Sequence, residues 1–351
     1  VLAGLGYLLL AMAVSWPLAS HLDTWVLGYP TIDSLDTILL RGLVSDLLFE
    51  NPGDLPTTQG VYFPIGYPIL HLVPNLMDHL IGGGLSRVLG FPRGDNVFWL
   101  LLIAGNGLAA HRLGLQLGKT HSAAMLVGVA YAVSENFLRE INLHHAPQAL
   151  SPWAPLYLAA ILRATQAEGS RRDALAAGVW MGLSGITYWY TAIFLAVGSL
   201  PILFTRRSAW RRFAQAAGIA LCVASPFLLP YAFHLGDLPL ANLSQIPDPS
   251  QTSAALQALP AGQAFLTEHG NDLALPFRST PLDTTNRISW VLMIAVVLSL
   301  KKGGSKVLLW IAGVGAVLAL GPTLRWGSDP VLLGDHPIWL PFAWLAKASP
   351  L

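Results

Sequence analysis

Runs of apolar residues separated by short polar breaks occupy most of this chain. Apolar windows fall at 1–20, 96–113, 122–135, 150–166, 173–187, 188–205, 213–234, 288–301 and 306–321. A bilayer core of about 30 Å is crossed by about 20 residues of helix. The pattern therefore predicts an all-α, polytopic transmembrane protein with about nine spans. One further apolar segment, 68–90, reads "PILHLVPNLMDHLIGGGLSRVLG" and carries His71, Pro74, Asn75, Asp78 and His79 ahead of three consecutive glycines. It suits an interfacial or re-entrant helix better than a lipid-facing span. Residues 32–50 form a second amphipathic pattern. Leu35, Ile38, Leu39, Leu43 and Leu47 fall near one side, and Asp36, Thr37, Arg41 and Ser45 on another. "ENPGD" (50–54) ends it with a turn signal.

Charge adds an orientation. Only 11% of residues are charged, against roughly 25% in soluble domains. Basic residues gather at Arg112–Lys119–His121, at Arg163–Arg171–Arg172, in "TRRSAWRRF" (205–213) and in "KKGGSK" (301–306). Placing all four on the cytoplasmic side puts two long loops, 21–95 and 235–287, outside. Residues 21–67 hold six acids (Asp23, Asp33, Asp36, Asp46, Glu50, Asp54) against Arg41, and 235–287 hold five (Asp237, Asp248, Glu268, Asp272, Asp283) against Arg278 and Arg287. Chemistry is thus expected on the face away from the cytoplasm. The chain begins at Val1 and stops within "AWLAKASPL". It reads as a single integral membrane domain over 1–351, a piece of a longer protein.

Several classes drop out. The one cysteine, Cys222, excludes an internal disulfide and a cysteine metal site. "GKT" (118–120) lacks the upstream glycine of a phosphate loop. No basic face outside the short cytoplasmic loops supports nucleic-acid binding. Charges are nearly absent from the predicted spans, which argues against a proton-coupled transporter.

Two carboxylates invite attention. Asp33 falls in the first turn of the 32–50 helix, where free N–H groups and the helix dipole favour an anion. Asp36 follows one turn later. Capping and solvation account for both; a base or a shared metal site is the alternative. "LHHAP" (143–147) offers His144 and His145, but adjacent histidines do not readily face one ion. Glu135 and Glu140 share their loop, and Tyr188, Trp189 and Tyr190 have the character of an interfacial aromatic belt.

The order of segments resembles the GT-C glycosyltransferases, among them protein O-mannosyltransferases, aminoarabinose transferases and their bacterial relatives. A first span is followed by an acid opening an outer helix in "IDSLDTILLRGLVSDLLFENP" (32–52), then "VYFPIGYP" (61–68), a second outer helix, and a span ending in "HRLGLQLG" (111–118). "SENFLREINLHHAPQALSPWAPLYLAAILRA" (134–164) and "RRDALAAGVWMGLSGITYWYTAIFL" (171–195) continue the match, which covers about 1–205. Ile32 stands where the family has glycine before the acid.

The resemblance implies a polyprenyl-phosphate-linked sugar as donor and an acceptor (glycan, lipid or protein) whose hydroxyl or amine attacks the anomeric carbon. It makes Asp33 the expected base, with Asp36, Glu140 and His145 in support. In some members a divalent metal, Mg or Mn, is held by the first-loop acid, here Asp33 with Asp36. The leaving phosphate needs cations, for which Arg41, Arg139 and Arg278 are the outer-side candidates. The family places such an enzyme in the bacterial inner (plasma) membrane, active face outward. A transporter or flippase for a lipid-linked glycan, and a non-catalytic subunit of an envelope complex, are the other readings.

Overall fold

A computed structural model of the chain describes residues 2–28, 32–50, 76–205 and 209–234, with short pieces between 310 and 339. Contacts divide it into two compact units, Val1–Ala196 with Ile202–Leu235 and Val197–Pro201 with Gly236–Leu351. The described part of the first unit is almost wholly helical. It comprises α1 (Leu2–Val14), α2 (Ile32–Phe49), α3 (Leu76–Asp78), a π turn (His79–Gly83), α4 (Gly84–Leu89), α5 (Arg93–Gln116), α6 (His121–Ala132), α7 (Glu135–Asn142), α8 (Ala146–Ala149), α9 (Trp153–Ala164), α10 (Arg171–Thr187), α11 (Trp189–Thr205, whose 197–201 belong to the second unit) and α12 (Trp210–His234). In the second unit two-residue strands pair antiparallel: β1 (Arg325–Trp326) with β2 (Asp329–Pro330), and β3 (Leu332–Leu333) with β4 (His336–Pro337). The all-helical expectation did not include these strands.

Helix α5 is the axis of the first unit and packs against α1, α4, α6 and α9. Two thirds of its apolar window (67%) is buried within the protein. Phe98, Trp99 and Ile103 of this helix meet Ala11, Ala132, Ile141 and Leu150 in the main core. A buried helix carries polar side chains only where each finds a partner, and those of α5 tie down loops. Asn96 Nδ2 donates to the carbonyls of Leu22 (2.9 Å) and Trp25 (2.7 Å), while Leu27 N–H donates to its Oδ1 (3.2 Å). Asn106 Nδ2 donates to Ala149 O (2.8 Å) and its Oδ1 accepts from Ser151 N–H (3.2 Å). Tyr7 of α1 reaches His111 Nδ1 (3.0 Å) through a slot between Gly107 and Gly128, where a Cβ on either glycine would overlap the tyrosine. The discarded "GKT" has a structural role: Thr120 Oγ1 accepts from Ala123 N–H (3.3 Å) and caps α6.

Among the described residues two helices are long and apolar enough to cross a membrane, Arg93–Gln116 and Trp210–Leu229. They coincide with the expected spans 96–113 and 213–234. The apolar helices Leu2–Val14, His121–Ala132 and Trp189–Phe204 are shorter, and 288–301 and 306–321 lie outside the described residues. Among the described residues the protein is therefore mostly helical, with two helices of spanning length. Helix α12 is the reverse of α5: only 17% of its window is buried, and Leu221 is 67% exposed. Such a face suits contact with lipid.

Candidate functional site: a buried arginine under a polar turn

Helix α2 has the bounds that its pattern predicts, but its polar side faces the protein. Arg41, Val44, Ser45 and Leu47 are buried, while Leu39 and Phe49 are exposed. The inward turn is possible because the π turn opposite is glycine-rich. A Cβ on Gly82 would sit 2.9 Å from Arg41 Cδ, and one on Gly83 would sit 2.8 Å from Ser45 Cβ. Without side chains there, the α2 backbone approaches closely enough to bury a guanidinium.

Asp95 meets that guanidinium from the first turn of α5, where the helix dipole favours a carboxylate. Arg41 Nη1 donates to Asp95 Oδ1, and the two side chains are only 3% and 2% exposed. Trp99, one turn on, donates its Nε1–H to Asp95 Oδ2 (3.1 Å). The cation lies over two rings, 4.7 Å from the centroid of Phe98 and 5.4 Å from that of Trp99. Arg41 Nε and Nη2 have no hydrogen-bond partner among the described residues. Arg41, Ser45, Gly83 and Asp95 line a cavity of about 250 Å³, which Asp46, Ser86 and Arg87 line as well. Arg87 is itself engaged by Asp46 and Glu50.

A turn after α7 brings the histidines. His144 N–H donates to Ile141 O (3.1 Å) and His145 N–H to Glu140 O (2.8 Å). This is the Schellman closure of a helix, whose C′ residue takes a left-handed conformation and is usually glycine. Here that residue is His144, at φ 60°, which costs roughly 1–2 kcal/mol for a residue with a Cβ. The reversal sends adjacent histidines to different places. His144 is buried, its ring edge-on to Trp99 (5.3 Å, 88°) and its Nε2 4.0 Å from Asp95 Oδ2. The 22–28 loop closes over it at Gly28 (φ 98°), where a Cβ would come within 2.9 Å of His144 Cε1. His145 stays partly exposed (29%) and its Nδ1–H donates to Glu140 Oε2 (2.7 Å). The C3 and C″ positions that ordinarily share an apolar contact thus hold a carboxylate–imidazole pair. Arg139 Nη1 lies 3.7 Å from Glu140 Oε1.

Burial disfavours the charged form of the inner histidines. Burial pushes the His144 imidazole below its ordinary value. Asp95 opposes that shift, and Arg41 and His145 add to it. Burial likewise lowers His79, against the pull of Asp78 and with the push of Arg41. Asp78 and His79, on the segment read as interfacial or re-entrant, are both buried.

Of the site residues expected from sequence, the structure brings Arg41 to a cavity and pairs Glu140 with His145. Arg139 joins Glu140. Asp33 and Asp36 lie in the first two turns of α2, the helix that carries Arg41, but their side chains are outside the described residues, as is Arg278. Among the described residues no group of three or more His, Cys, Asp or Glu side chains is arranged to hold a metal ion. Sequence reasoning missed Asp95, Trp99 and the inward role of His144. The available signal was an acid in the first turn of an apolar helix with a tryptophan four residues on. Comparison with protein-family models, with curated proteins and with solved structures finds no match.

Proposed function

We propose that this chain is a membrane-embedded transferase of the GT-C type, which moves a sugar from a polyprenyl-phosphate donor to an acceptor at the outer face of the plasma membrane. The observation that carries the reading is Arg41: a buried guanidinium at a cavity, with two nitrogens that have no hydrogen-bond partner among the described residues. Charge-assisted hydrogen bonds from such a group are what a leaving phosphate requires, and a dry setting strengthens them. In the proposed step the acceptor oxygen or nitrogen attacks the anomeric carbon and the bond from that carbon to the phosphate oxygen breaks. The electron pair leaves with the lipid phosphate, and the acceptor proton passes to a carboxylate. Asp33, two turns toward the N-terminus from Arg41 on α2, is the assigned base, with Asp36 beside it. The Glu140–His145 pair positions or deprotonates the acceptor. Arg139 and Arg278 are the further cations of the proposal, and a Mg or Mn ion at Asp33 and Asp36 belongs to the form that some GT-C enzymes take.

The test is sugar release from radiolabelled polyprenyl-phosphate donors by the purified protein in detergent, with Asp33→Asn, Asp36→Asn and Arg41→Met alongside. Release by the wild type that is lost in one aspartate variant, and in Arg41→Met at a temperature where thermal unfolding shows that variant still folded, supports the reading, and sensitivity to EDTA with recovery on adding Mg or Mn supports the metal. Movement of the donor across liposomes without a new glycosidic bond would replace the transferase with a flippase.

A further inference from the structure

Away from the Arg41 cavity, α10 and α12 lie side by side. Gly178 rests against Ala216 and Ile219, and Gly182 against Ala220 and Val223. An advance of four residues on one helix matches an advance of four on the other, so the two run parallel and their starts lie together. The α10 start carries Arg171 and Arg172, and the α12 start carries Arg211 and Arg212. Between the helices opens a groove of about 610 Å³, within the range of about 300–1,000 Å³ typical of small-ligand sites. Arg171 and Arg172 line one end; Leu175, Gln215, Gly218 and Ile219 line the rest.

The charge at the arginine end is unbalanced. The acids nearest in the chain are Glu168 and Asp173. Asp173 is already bound by Ser170 in the α10 capping box (Ser170 Oγ to Asp173 Oδ2, 2.6 Å) and lies 3.5 Å from Arg163. Arg212 is held by Gly169 O (3.2 Å) and Gln215 Oε1 (3.1 Å), which fixes the loop into α10 against the start of α12. Arg171 and Arg172 have no ion-pair or hydrogen-bond partner among the described residues and are exposed, as are Leu175 and Gly218. A cationic end on an apolar trough, beside a helix whose apolar face is bare, matches an amphiphile with an anionic head.

We infer that this groove binds an anionic glycerophospholipid, its phosphate on Arg171 and Arg172 and an acyl chain along Leu175, Gly218 and Ile219. Basic pockets between membrane helices hold such headgroups. The lipid fills the space left where glycine brings the helices together below and Gly218 leaves the trough open above: a Cβ at Gly218 meets no atom within 4 Å. The site is independent of the proposed transferase reaction.

The experiment is thermal unfolding of the purified protein in detergent, with added phosphatidylglycerol, phosphatidylcholine or inorganic phosphate. Phosphatidylglycerol is expected to raise the melting temperature by about 5 °C at saturation, with neither phosphatidylcholine nor phosphate doing so. The double variant Arg171→Gln/Arg172→Gln removes the headgroup contact from an exposed turn and leaves Ser170 and Asp173 to cap the helix. Gly218→Leu narrows the trough from a position where a Cβ meets no atom within 4 Å. Both are expected to fold and to lose the phosphatidylglycerol shift. An equal shift with phosphatidylcholine, full reproduction of the shift by phosphate alone, or its survival in the double variant would each overturn the inference.

Discussion

Replacing Asp95 by asparagine is the sharpest test of the buried pair. The change preserves shape and leaves one side-chain oxygen, but it removes the only carboxylate bonded to the Arg41 guanidinium among the described residues. Arginine does not lose its proton in proteins, so the variant strands a cation whose side chain is 3% exposed. The remaining oxygen must also choose between Arg41 and Trp99 Nε1, which now share the carboxylate. Removing one member of a buried ion pair costs about 3–5 kcal/mol. The rings of Phe98 and Trp99 soften this through cation–π attraction, by about 1–2 kcal/mol at a desolvated site, but they do so before and after the change and do not alter the difference.

The measurement is thermal unfolding in detergent followed by tryptophan fluorescence. A loss of 3–5 kcal/mol corresponds to a fall in melting temperature on the order of 10 °C for a unit of this size. The second variant, Arg41→Met with Asp95→Asn, removes both charges and still offers Trp99 an acceptor. It is expected to recover at least half of the loss, because the penalty lies in the unpaired charge. The buried pair should also be insensitive to salt, unlike the exposed Arg93–Asp23 pair. A fall of less than about 3 °C in Asp95→Asn, or no recovery in the double variant, would refute the reasoning.

Three further outcomes follow from the same geometry. Burial lowers the pKa of His79 and of His144. Below about pH 6.5 their unfolded forms take up protons that the folded forms refuse, so stability is full above that pH and falls below it. The slope is at most about 1.4 kcal/mol per pH unit for each histidine; melting curves from pH 7.5 down to 5 check its direction, and His79→Asn/His144→Asn should flatten the profile. His145→Ala and Glu140→Gln should each lower turnover by about 10²–10⁴-fold at temperatures where the variants remain folded, read by the donor-release assay beside thermal unfolding. Gly107→Ala drives a Cβ to 2.5 Å from Tyr7 Cδ1 and should cost about 1–3 kcal/mol by overpacking, again read as melting temperature.

How far the sequence discloses this site depends on how local each part is. The bounds of α2 follow from its period, because spacing alone determines which residues share a helix face. What that face packs against is not encoded in the spacing, and so Arg41 and Ser45 read as an outer polar side although glycines 82 and 83 draw them inward. The pairing of Arg41 with Asp95 joins residues 54 apart, and no periodic signal crosses that distance. Asp95 was legible only as an acid near the start of an apolar helix, a place where the dipole already accounts for a carboxylate.

The Glu140–His145 pair is different. Its members are five apart and are joined by a single turn, so the sequence places them on one loop, but the turn is hidden because its signature residue, glycine, is absent. A histidine in the left-handed position of a Schellman turn is itself informative. Glycine there would relieve the backbone but would remove the ring that sits between Trp99 and Asp95. The strain at His144 therefore has a physical return on the inner side, in the ring packed beside the Asp95–Arg41 pair. It has another on the outer side, in the imidazole of His145 turned onto Glu140. One strained residue thus links the buried Arg41–Asp95 pair to the Glu140–His145 pair, whose carboxylate is buried and whose imidazole is partly exposed, and a change in its conformation would disturb both at once.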